Sequence, residues 1–404
     1  MGGEVQLNDV AEIIMGQSPP GSTYNESGVG LPFFQGVRDF NYRHPSIRVF
    51  CSEPTRIALP GDILFSVRAP IGRVNIAEVE CSIGRGLSII RARSHADRKF
   101  IEFALRNMEQ QWQVIEGGGS VFGNATRRDL ATLSLPWPGN PLEREAIGYL
   151  LGALDDKIEL NRTMNRTLEA TARAIFKSWF VDFDPVRAKA AGQQPPGLKP
   201  EIASLFPDSF EDSELGEIPR GWRVLPIGEL AEVSSGKRPN ARFAERTDEA
   251  SVPLWGGNGP MAFVRKALFD EPVLLTGRVG TLGSVFRITE PCWPSDNTLV
   301  LQATEPSVFQ YLFLQLHQVN FTSLNRGSTQ PLLTQTDLKA QRLVVSTKSI
   351  LETFSRIADS MYCRFDESTA EILTLVAIRD TLLPKLISSE LRLPDAERIT
   401  ERCL

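Results

Sequence analysis

The sequence contains few of the residues that build metal or redox sites. Its 404 residues include three histidines and five cysteines, and no two cysteines form a CxxC pair. Scattered cysteines, odd in number, are typical of reduced thiols and argue against a zinc site. A run of about 18 apolar residues, as a membrane helix needs, is also missing. The first residues, MGGEVQLNDVAEIIMG, lack the basic region of an export signal, so we expect a cytoplasmic protein with no membrane partner.

The motifs of nucleotide-using and catalytic sites are missing as well. The only Gly-Lys pair, at Gly236, is followed by Arg238 and is not a phosphate loop. No GxGxxG opens a helix after a strand, no Pro-Pro pair precedes an aromatic residue, and the histidines lack metal-ligand or triad spacing. We therefore predict no catalytic residue, no metal site and no cofactor in this chain.

The net charge of −5 argues, at first sight, against nucleic acid as a partner. Residues 201–217, however, contain six acidic residues and no Lys or Arg, and without them the net charge would change from −5 to +1. Arginines cluster in both halves of the chain. Because local charge matters more than total charge, DNA remains a candidate partner.

The chain is a tandem repeat. Four segments of the first half, VAEIIMGQSP, PFFQG, DILFSVRAPIGRV and GGGSVFGNATRRDLATLSL, recur in the same order as LAEVSSGKRP, PLWGG, VLLTGRVGTLGSV and NRGSTQPLLTQTDLKAQRL. Short β-branched runs between Gly/Pro turns predict strands in each copy, and amphipathic runs predict helices. The sequence therefore predicts an α+β fold, in which each of two mixed α/β globular parts is followed by a long helix.

A heptad pattern runs through both long helices. A 4-3-4-3 spacing places on one seam Ile147, Leu151, Leu154, Ile158, Asn161, Asn165, Leu168, Ile175 and Trp179 of the first helix, and Phe354, Met361, Phe365, Ile372, Leu375, Leu382 and Leu386 of the second. Such a seam favours a coiled coil, and its polar positions would fix register. The alternative is that each helix packs only on its own globular part, but a helix of nearly forty residues would span about 60 Å.

At these residues the chain resembles the specificity subunit of type I restriction–modification systems. The resemblance rests on the duplicated plan, on the two openings VAEIIMGQSP and LAEVSSGKRP, and on three further phrases: LDDKIELNRTMNRTLEATARAIFKSWFVDFDPV, LFPDSFEDSELGEIPRGW and IRDTLLPKLISSEL. It covers essentially the whole chain. It implies two target-recognition domains (1–140 and 220–346), a central spacer helix (141–183), an extended linker (184–219), a C-terminal spacer helix (347–390) and a tail (391–404).

The resemblance also implies a function. Each domain would read one half of a split, asymmetric site in double-stranded DNA, and the two helices would pair as an antiparallel coiled coil that sets the gap. The subunit itself would be non-catalytic. It would hold two modification subunits, which bind S-adenosylmethionine and methylate adenine, and restriction/translocase subunits that use ATP and Mg²⁺.

The candidate DNA contacts fall mostly into two groups. For the phosphate backbone we expect small residues and flexible cations in the loops: Gln17, Ser18, Arg68 with its counterpart Arg278, Arg127, Arg128, Lys237 and Arg238. We also expect DNA contacts, without assigning them to phosphate or base, at Ser120, Thr126, Ser328 and Thr329. For base edges we expect planar polar side chains, since Asn and Gln match adenine and Arg matches guanine: Gln35, Arg38, Asn41, Arg43, Asn124, Asn258, Asn325, Arg326 and Gln330. Trp255 is either a core residue or a stacking contact.

Two other classes of protein remain as alternatives at this point. One is a stand-alone enzyme, a methyltransferase or nuclease whose carboxylates carry no motif. The other is a structural coiled-coil adaptor without a DNA role. The missing motifs argue against the first, and a neutral, polar-poor face on both globular parts would favour the second.

Overall fold

The chain divides into two compact units in a computed structural model, which describes residues 3–109, 112, 124–280, 282–327 and 330–403. Unit 1 comprises Met1–Asn165 and Glu367–Leu404, and unit 2 comprises Arg166–Asp366. Each of the two longest helices, Pro141–Phe180 and Lys348–Ile387, therefore contributes one part of its length to each unit. Among the described residues, no helix is both long and apolar enough to cross a membrane.

Unit 1 is built from short strands and a few helices. Its strands are β1 (Gly3–Gln6), β2 (Ala11–Met15), β3 (Tyr24–Asn25), β4 (Leu31–Phe34), β5 (Phe50–Cys51), β6 (Ile57–Ala58), β7 (Ile63–Ser66), β8 (Val74–Ile76), β9 (Cys81–Ile83), β10 (Leu87–Ala92) and β11 (Ser134–Trp137). Its helices are α1 (Leu7–Val10), α2 (Arg98–Asn107), α3 (Arg127–Ala131), the first part of α4 (Pro141–Phe180), and, near the C-terminus, α11 (Leu393–Cys403). The strands form sheets in the orders β2-β10-β7-β8, β3-β5-β4-β9-β6 and β1-β11.

Unit 2 repeats this plan. Its strands are β12 (Phe210–Ser213), β13 (Gly216–Pro219), β14 (Arg223–Pro226), β15 (Ala231–Ser235), β16 (Val252–Gly256), β17 (Gly259–Val264), β18 (Val273–Gly277), β19 (Val285–Ile288), β20 (Trp293–Pro294), β21 (Thr298–Ala303) and β22 (Arg342–Val345). Its helices are α5 (Asp184–Ala190), α6 (Pro200–Ala203), α7 (Ile227–Leu230), α8 (Pro306–Leu316), α9 (Gln335–Ala340) and the first part of α10 (Lys348–Ile387). The sheets have the orders β15-β21-β18-β19, β17-β16-β20, β14-β22 and β12-β13.

The four-stranded sheet is the same in both units. β2-β10-β7-β8 of unit 1 and β15-β21-β18-β19 of unit 2 occupy the same positions along their repeats, and every neighbouring pair is antiparallel. The middle strands are apolar because both their faces are covered: all four residues of β7 and all five of β18 are buried. The predicted duplication and the α+β class are thus confirmed.

Several residues of the predicted seam are buried inside each unit. In unit 1, Leu151 and Ile158 are fully buried, as is Leu375. The amide of Asn161 donates to Glu371 Oε2 at 2.8 Å, and that of Asn165 donates to Thr369 Oγ1 at 3.0 Å. In unit 2, the seam residues Trp179 and Phe354 lie with ring centroids 6.1 Å apart. Antiparallel segments of α4 and α10 therefore contact each other within each unit.

A buried charge cluster ties both helices of unit 1 to the sheet region. Asp155 of α4 is fully buried. It accepts hydrogen bonds from Tyr42 Oη (2.8 Å), Arg106 Nη1 (2.6 Å) and Arg379 Nη1 (2.8 Å). Burial alone would raise the pKa of Asp155, but the guanidinium groups of Arg106 and Arg379, together with these hydrogen bonds, lower it. The carboxylate therefore stays ionised while fully buried.

The predicted extended linker, residues 184–219, is folded. It contains α5, α6 and the hairpin β12-β13. Phe206 and Ile218 are buried in the core of unit 2 together with Trp222, and the ring of Phe206 meets that of Trp179 edge to face at 5.0 Å. The prediction was wrong because it weighed the Pro, Gly and acidic residues and overlooked the aromatic residues, whose burial holds the segment on unit 2.

Candidate nucleic-acid interface

Three loops of unit 1 meet at one end of the four-stranded sheet. The loop after β2 carries Gln17 and Ser18, and Ser18 Oγ accepts a hydrogen bond from the backbone N–H of Arg85 at 3.2 Å. The loop after β7 carries Arg68, which forms a backbone bridge with Asn124. Backbone bonds between neighbouring strands fix these loops, so the fold itself brings together side chains that are far apart in sequence.

A concave pocket, which we call pocket A, lies beside these loops. It has a volume of about 600 Å³. Among its lining residues are Gln35, Gly36, Arg38, Arg48, Arg68 and Gly86. Three of the predicted contacts, Gln35, Arg38 and Arg68, therefore share one site, and all three are exposed. Asp39 braces the pocket wall, because its carboxylate accepts from the backbone N–H of Gln35 (3.0 Å) and pairs with Arg48.

Thr126 and Asp129-Leu130, which recur in the second repeat, form the N-terminal end of helix α3. Thr126 is the N-cap of α3: its Oγ1 accepts from the N–H of Asp129 (3.3 Å), and Asp129 Oδ2 accepts from the N–H of Thr126 (2.8 Å). These bonds lower the pKa of Asp129. The Thr126 hydroxyl is thus engaged in capping, so its role is structural, while Arg127 and Arg128 are exposed on the first turn.

Two predicted base contacts of unit 1 lie outside pocket A. Asn41 donates to Ser46 Oγ at 2.6 Å and lines a different concavity. Arg43 pairs with the carboxylate of Asp156 on α4, and its side chain is only 13% exposed. This ion pair occupies the guanidinium, so the structure does not support base reading by Arg43.

Unit 2 has a pocket at the corresponding loops, which we call pocket B. Its volume is about 850 Å³. Among its lining residues are Arg238, Arg242, Gly256, Gly257, Asn258 and Asn297. The predicted contacts Arg238 and Asn258 thus come together, and both are exposed. Lys237, next to Arg238, is exposed as well, and its backbone N–H donates to Pro294 O at 3.0 Å.

The predicted pairing of Arg68 with Arg278 is wrong by one residue. The N–H of Arg278 donates to Asn297 O (2.8 Å) and its carbonyl accepts from Leu333 (2.9 Å). In unit 1 those bonds belong to Val67, which bonds Gly86 and Ala125. Val279 is therefore the counterpart of Arg68. Since successive side chains alternate between the faces of a strand, Arg278 points to the other side, where its Nη1 lies 3.4 Å from Ser235 Oγ.

Two of the remaining predicted contacts of unit 2, Asn325 and Arg326, are engaged within the unit. Asn325 Oδ1 accepts from the N–H groups of Gly327 and Leu332, each at 2.9 Å, and so shapes its loop. Arg326 is exposed and forms a two-fold ion pair with Asp337 (2.7 and 3.1 Å), which lowers the pKa of that carboxyl to about 2. Gln330 is exposed. Ser120, Ser328 and Thr329 lie outside the described residues.

Trp255 packs as a partly buried residue. Its ring lies 5.4 Å from that of Phe286, in a small apolar cluster that includes Leu275 and Cys292. These contacts favour the core interpretation of this residue over DNA stacking.

Several pocket residues escaped the sequence analysis. Arg48, Arg242 and Asn297 line pockets A and B, yet none belongs to a recognisable motif. Arg48 lies two residues before β5 and Asn297 immediately precedes β21. Their only sequence signal was a polar side chain at a strand end, and such residues are common. No three His, Cys, Asp or Glu side chains of the described part of the chain are grouped to hold a metal.

The two units carry pockets at matching loops, and comparisons with known proteins identify the class of the chain. A family model, described as the type I restriction modification DNA specificity domain, matches residues 3–170 and 219–357. The chain belongs to this family, the DNA-recognition subunits of type I restriction–modification complexes, and carries the domain twice. Membership places the chain among specificity subunits and not in an enzyme class.

The chain is similar to individual relatives over different lengths. It is 40% identical over 166 residues to a putative type I restriction enzyme MjaX specificity subunit of Methanocaldococcus jannaschii, a match that spans 41% of this chain and 38% of that relative. It is 23% identical to the type I restriction enzyme MjaIX specificity subunit of the same organism, in a match that spans 96% of this chain and 93% of that relative. The crystal structure of the S subunit from M. genitalium shares the fold, with a TM-score of 0.67 over 96% of both chains at 18% identity.

Proposed function

We propose that this chain reads a bipartite, asymmetric site in double-stranded DNA, one half-site at each unit. The observation that carries the proposal is the pair of pockets at matching loops, A with Gln35, Arg38 and Arg68, and B with Arg238 and Asn258. Planar amides and guanidinium groups are the side chains that match adenine and guanine edges. A symmetric homodimer reads a palindrome, whereas two diverged repeats in one chain read two different half-sites.

The exposed cations around the pockets supply the affinity that does not depend on sequence. Arg127, Arg128 and Lys237 are all exposed on loops or first helical turns. Such side chains neutralise phosphates and release counterions, which positions the protein without specifying bases. Phosphate contacts by these cations and base contacts in the pockets are together consistent with DNA binding by a protein whose net charge is negative but whose loops are locally cationic.

The helices α4 and α10 act, in this proposal, as an antiparallel coiled coil that sets the gap between half-sites. Each has 40 residues, or about 60 Å at 1.5 Å per residue. Contacts such as that of Asn161 with Glu371 in unit 1 support antiparallel packing. The outer faces of the helices are left for the other subunits of the complex.

The complex would contain two modification subunits and the restriction/translocase subunits. S-adenosylmethionine, ATP and Mg²⁺ would belong to those partners, and this chain would bind no cofactor. The assembly would work in the cytoplasm, where its DNA is.

Sequencing of methylated adenines tests the proposal. The chain is co-expressed with the modification subunit of its own system in cells that lack adenine methylation. We expect methylation at one split motif with a fixed gap and two unlike halves. A palindromic motif would contradict reading by two diverged units. Transfer of labelled methyl groups to DNA by the purified chain alone would instead indicate a stand-alone enzyme.

A further inference from the structure

Pockets A and B occupy the same place in the two units, as their backbone hydrogen bonds show. In unit 1 the N–H of Val67 donates to Gly86 O at 2.9 Å, and in unit 2 the N–H of Arg278 donates to Asn297 O at 2.8 Å. Arg68 forms a backbone bridge with Asn124, and Val279 forms one with Leu332. These bonds pair Gly86 with Asn297 and Arg68 with Val279.

The strand pairs that lead to Gln35 in unit 1 and to Gly256 in unit 2 match in the same way. β4 and β9 pair in parallel with Phe34 opposite Ile83, and β16 and β20 pair in parallel with Trp255 opposite Pro294. The following bonds are also equivalent, since Gly84 N donates to Phe34 O and Ser295 N donates to Trp255 O, both at 2.8 Å. Gln35 of pocket A is therefore the counterpart of Gly256 of pocket B.

The side chains at these matched positions differ in kind. Pocket A has Gln35 and Arg68 where pocket B has a glycine and a valine, and pocket B has Asn297 where pocket A has Gly86. Pocket A therefore presents the Gln35 amide at a position where pocket B has glycine, and pocket B presents the Asn297 amide, in addition to that of Asn258, at a position where pocket A has glycine. In pocket A this second position accepts no side chain, because a Cβ on Gly86 would lie 2.3 Å from the carbonyl oxygen of Gln35.

We propose that these three matched positions determine the difference between the two half-sites. Arg68 reads a guanine with the two parallel donors of its guanidinium, and Gln35 contributes an amide beside it. Asn297 reads an adenine at the equivalent place in pocket B, where Val279 removes the charge. The inference rests on the proposed function. It adds the identity of the residues that specify bases, and it assigns guanine to Arg68 and adenine to Asn297.

Two variants exchange the chemistry of the pockets by shortening one side chain each. Arg68→Val installs the residue of unit 2 in unit 1, and Asn297→Gly installs the residue of unit 1 in unit 2. Both side chains are exposed, and the backbone bonds at these positions are kept. Arg93→Gln is the matched control: Arg93 follows β10 while Gly86 precedes it, so the six-residue strand separates the two by about 20 Å.

The assay selects duplexes from a randomised DNA library with the chain bound to its modification subunit. We expect Arg68→Val to lose a guanine preference of about 5- to 150-fold at one position of one half-site. Asn297→Gly should lose an adenine preference of similar size in the other half-site, and Arg93→Gln should change neither. Arg68→Lys keeps the charge without the planar fork, so it should weaken the guanine preference but reduce it less than Arg68→Val does. A thermal melt of each variant verifies its fold.

Two results would overturn the inference: base preferences that stay the same in the variants, or an affinity that falls equally for all sequences. The second result would make Arg68 and Asn297 phosphate contacts. A wild-type complex that selects no split site would instead contradict the proposed function itself. The two failures are thus distinguished by the wild-type selection.

Discussion

Replacing the buried carboxylate of Asp155 by an amide should lower the free energy of unfolding of unit 1. Asp155→Asn keeps the shape of the side chain but removes its charge, so Arg106 and Arg379, whose side chains are 13% and 14% exposed, keep only Glu102 and Asp380 as carboxylate partners. Breaking a buried ion pair by removing one partner costs roughly 3–5 kcal/mol, and because each arginine keeps a second carboxylate we expect a loss of about 3 kcal/mol. The neighbouring Asp156→Asn is the control, because Asp156 is 57% exposed and its pairs are worth at most about 1 kcal/mol.

The measurement is urea unfolding of the full chain at neutral and acidic pH. Because the pKa of Asp155 is lowered in the folded state, its charge stabilises the fold above the unfolded-state pKa of about 4 and this stabilisation disappears as pH falls through the folded-state pKa. The free-energy difference between wild type and Asp155→Asn should therefore shrink on acidification from pH 7. Equal effects of the two Asn variants, or a difference that grows in acid, would refute the assignment of Asp155 as a buried, ionised anchor.

Three further outcomes are expected. Deleting one heptad from each long helix (162–168 and 364–370) removes about 10 Å of length, so the gap of the methylated motif should shorten by about three base pairs; an unchanged gap would contradict the spacer role. Arg127→Gln and Arg128→Gln should each reduce the slope of log affinity against log salt by about 0.9 without altering the motif, as phosphate contacts do, whereas an altered motif would make them base contacts. Thr126→Ala should cost about 1 kcal/mol in urea unfolding through the lost helix cap, and a neutral effect would speak against the capping box.

Much of the fold was predictable because repetition and periodicity are properties of the sequence. The repeated segments indicated two equivalent units, and the heptad spacing indicated seam residues such as Leu151 and Ile158, which are fully buried. The segment 184–219 was predicted as an extended linker, although it is folded. Its few aromatic residues are buried against strands and helices that lie far away in sequence, and local composition does not reveal such contacts.

The candidate site was less predictable, since it consists of residues from separate strand ends. Thr126 looked like a DNA contact, yet its repeat in unit 2 is explained by helix capping. The equivalence of Arg68 and Arg278, predicted from the sequence, was wrong by one residue. Such a shift turns a strand side chain to the opposite face, and only the hydrogen-bond register reveals it.

The most direct test of two-unit reading is to replace residues 1–140 by the corresponding region of another member of the family and to sequence the methylated adenines. Reading of one half-site by each unit predicts a motif in which one half changes while the other half is retained. A motif that stays the same in both halves, or one that changes in both, would contradict it.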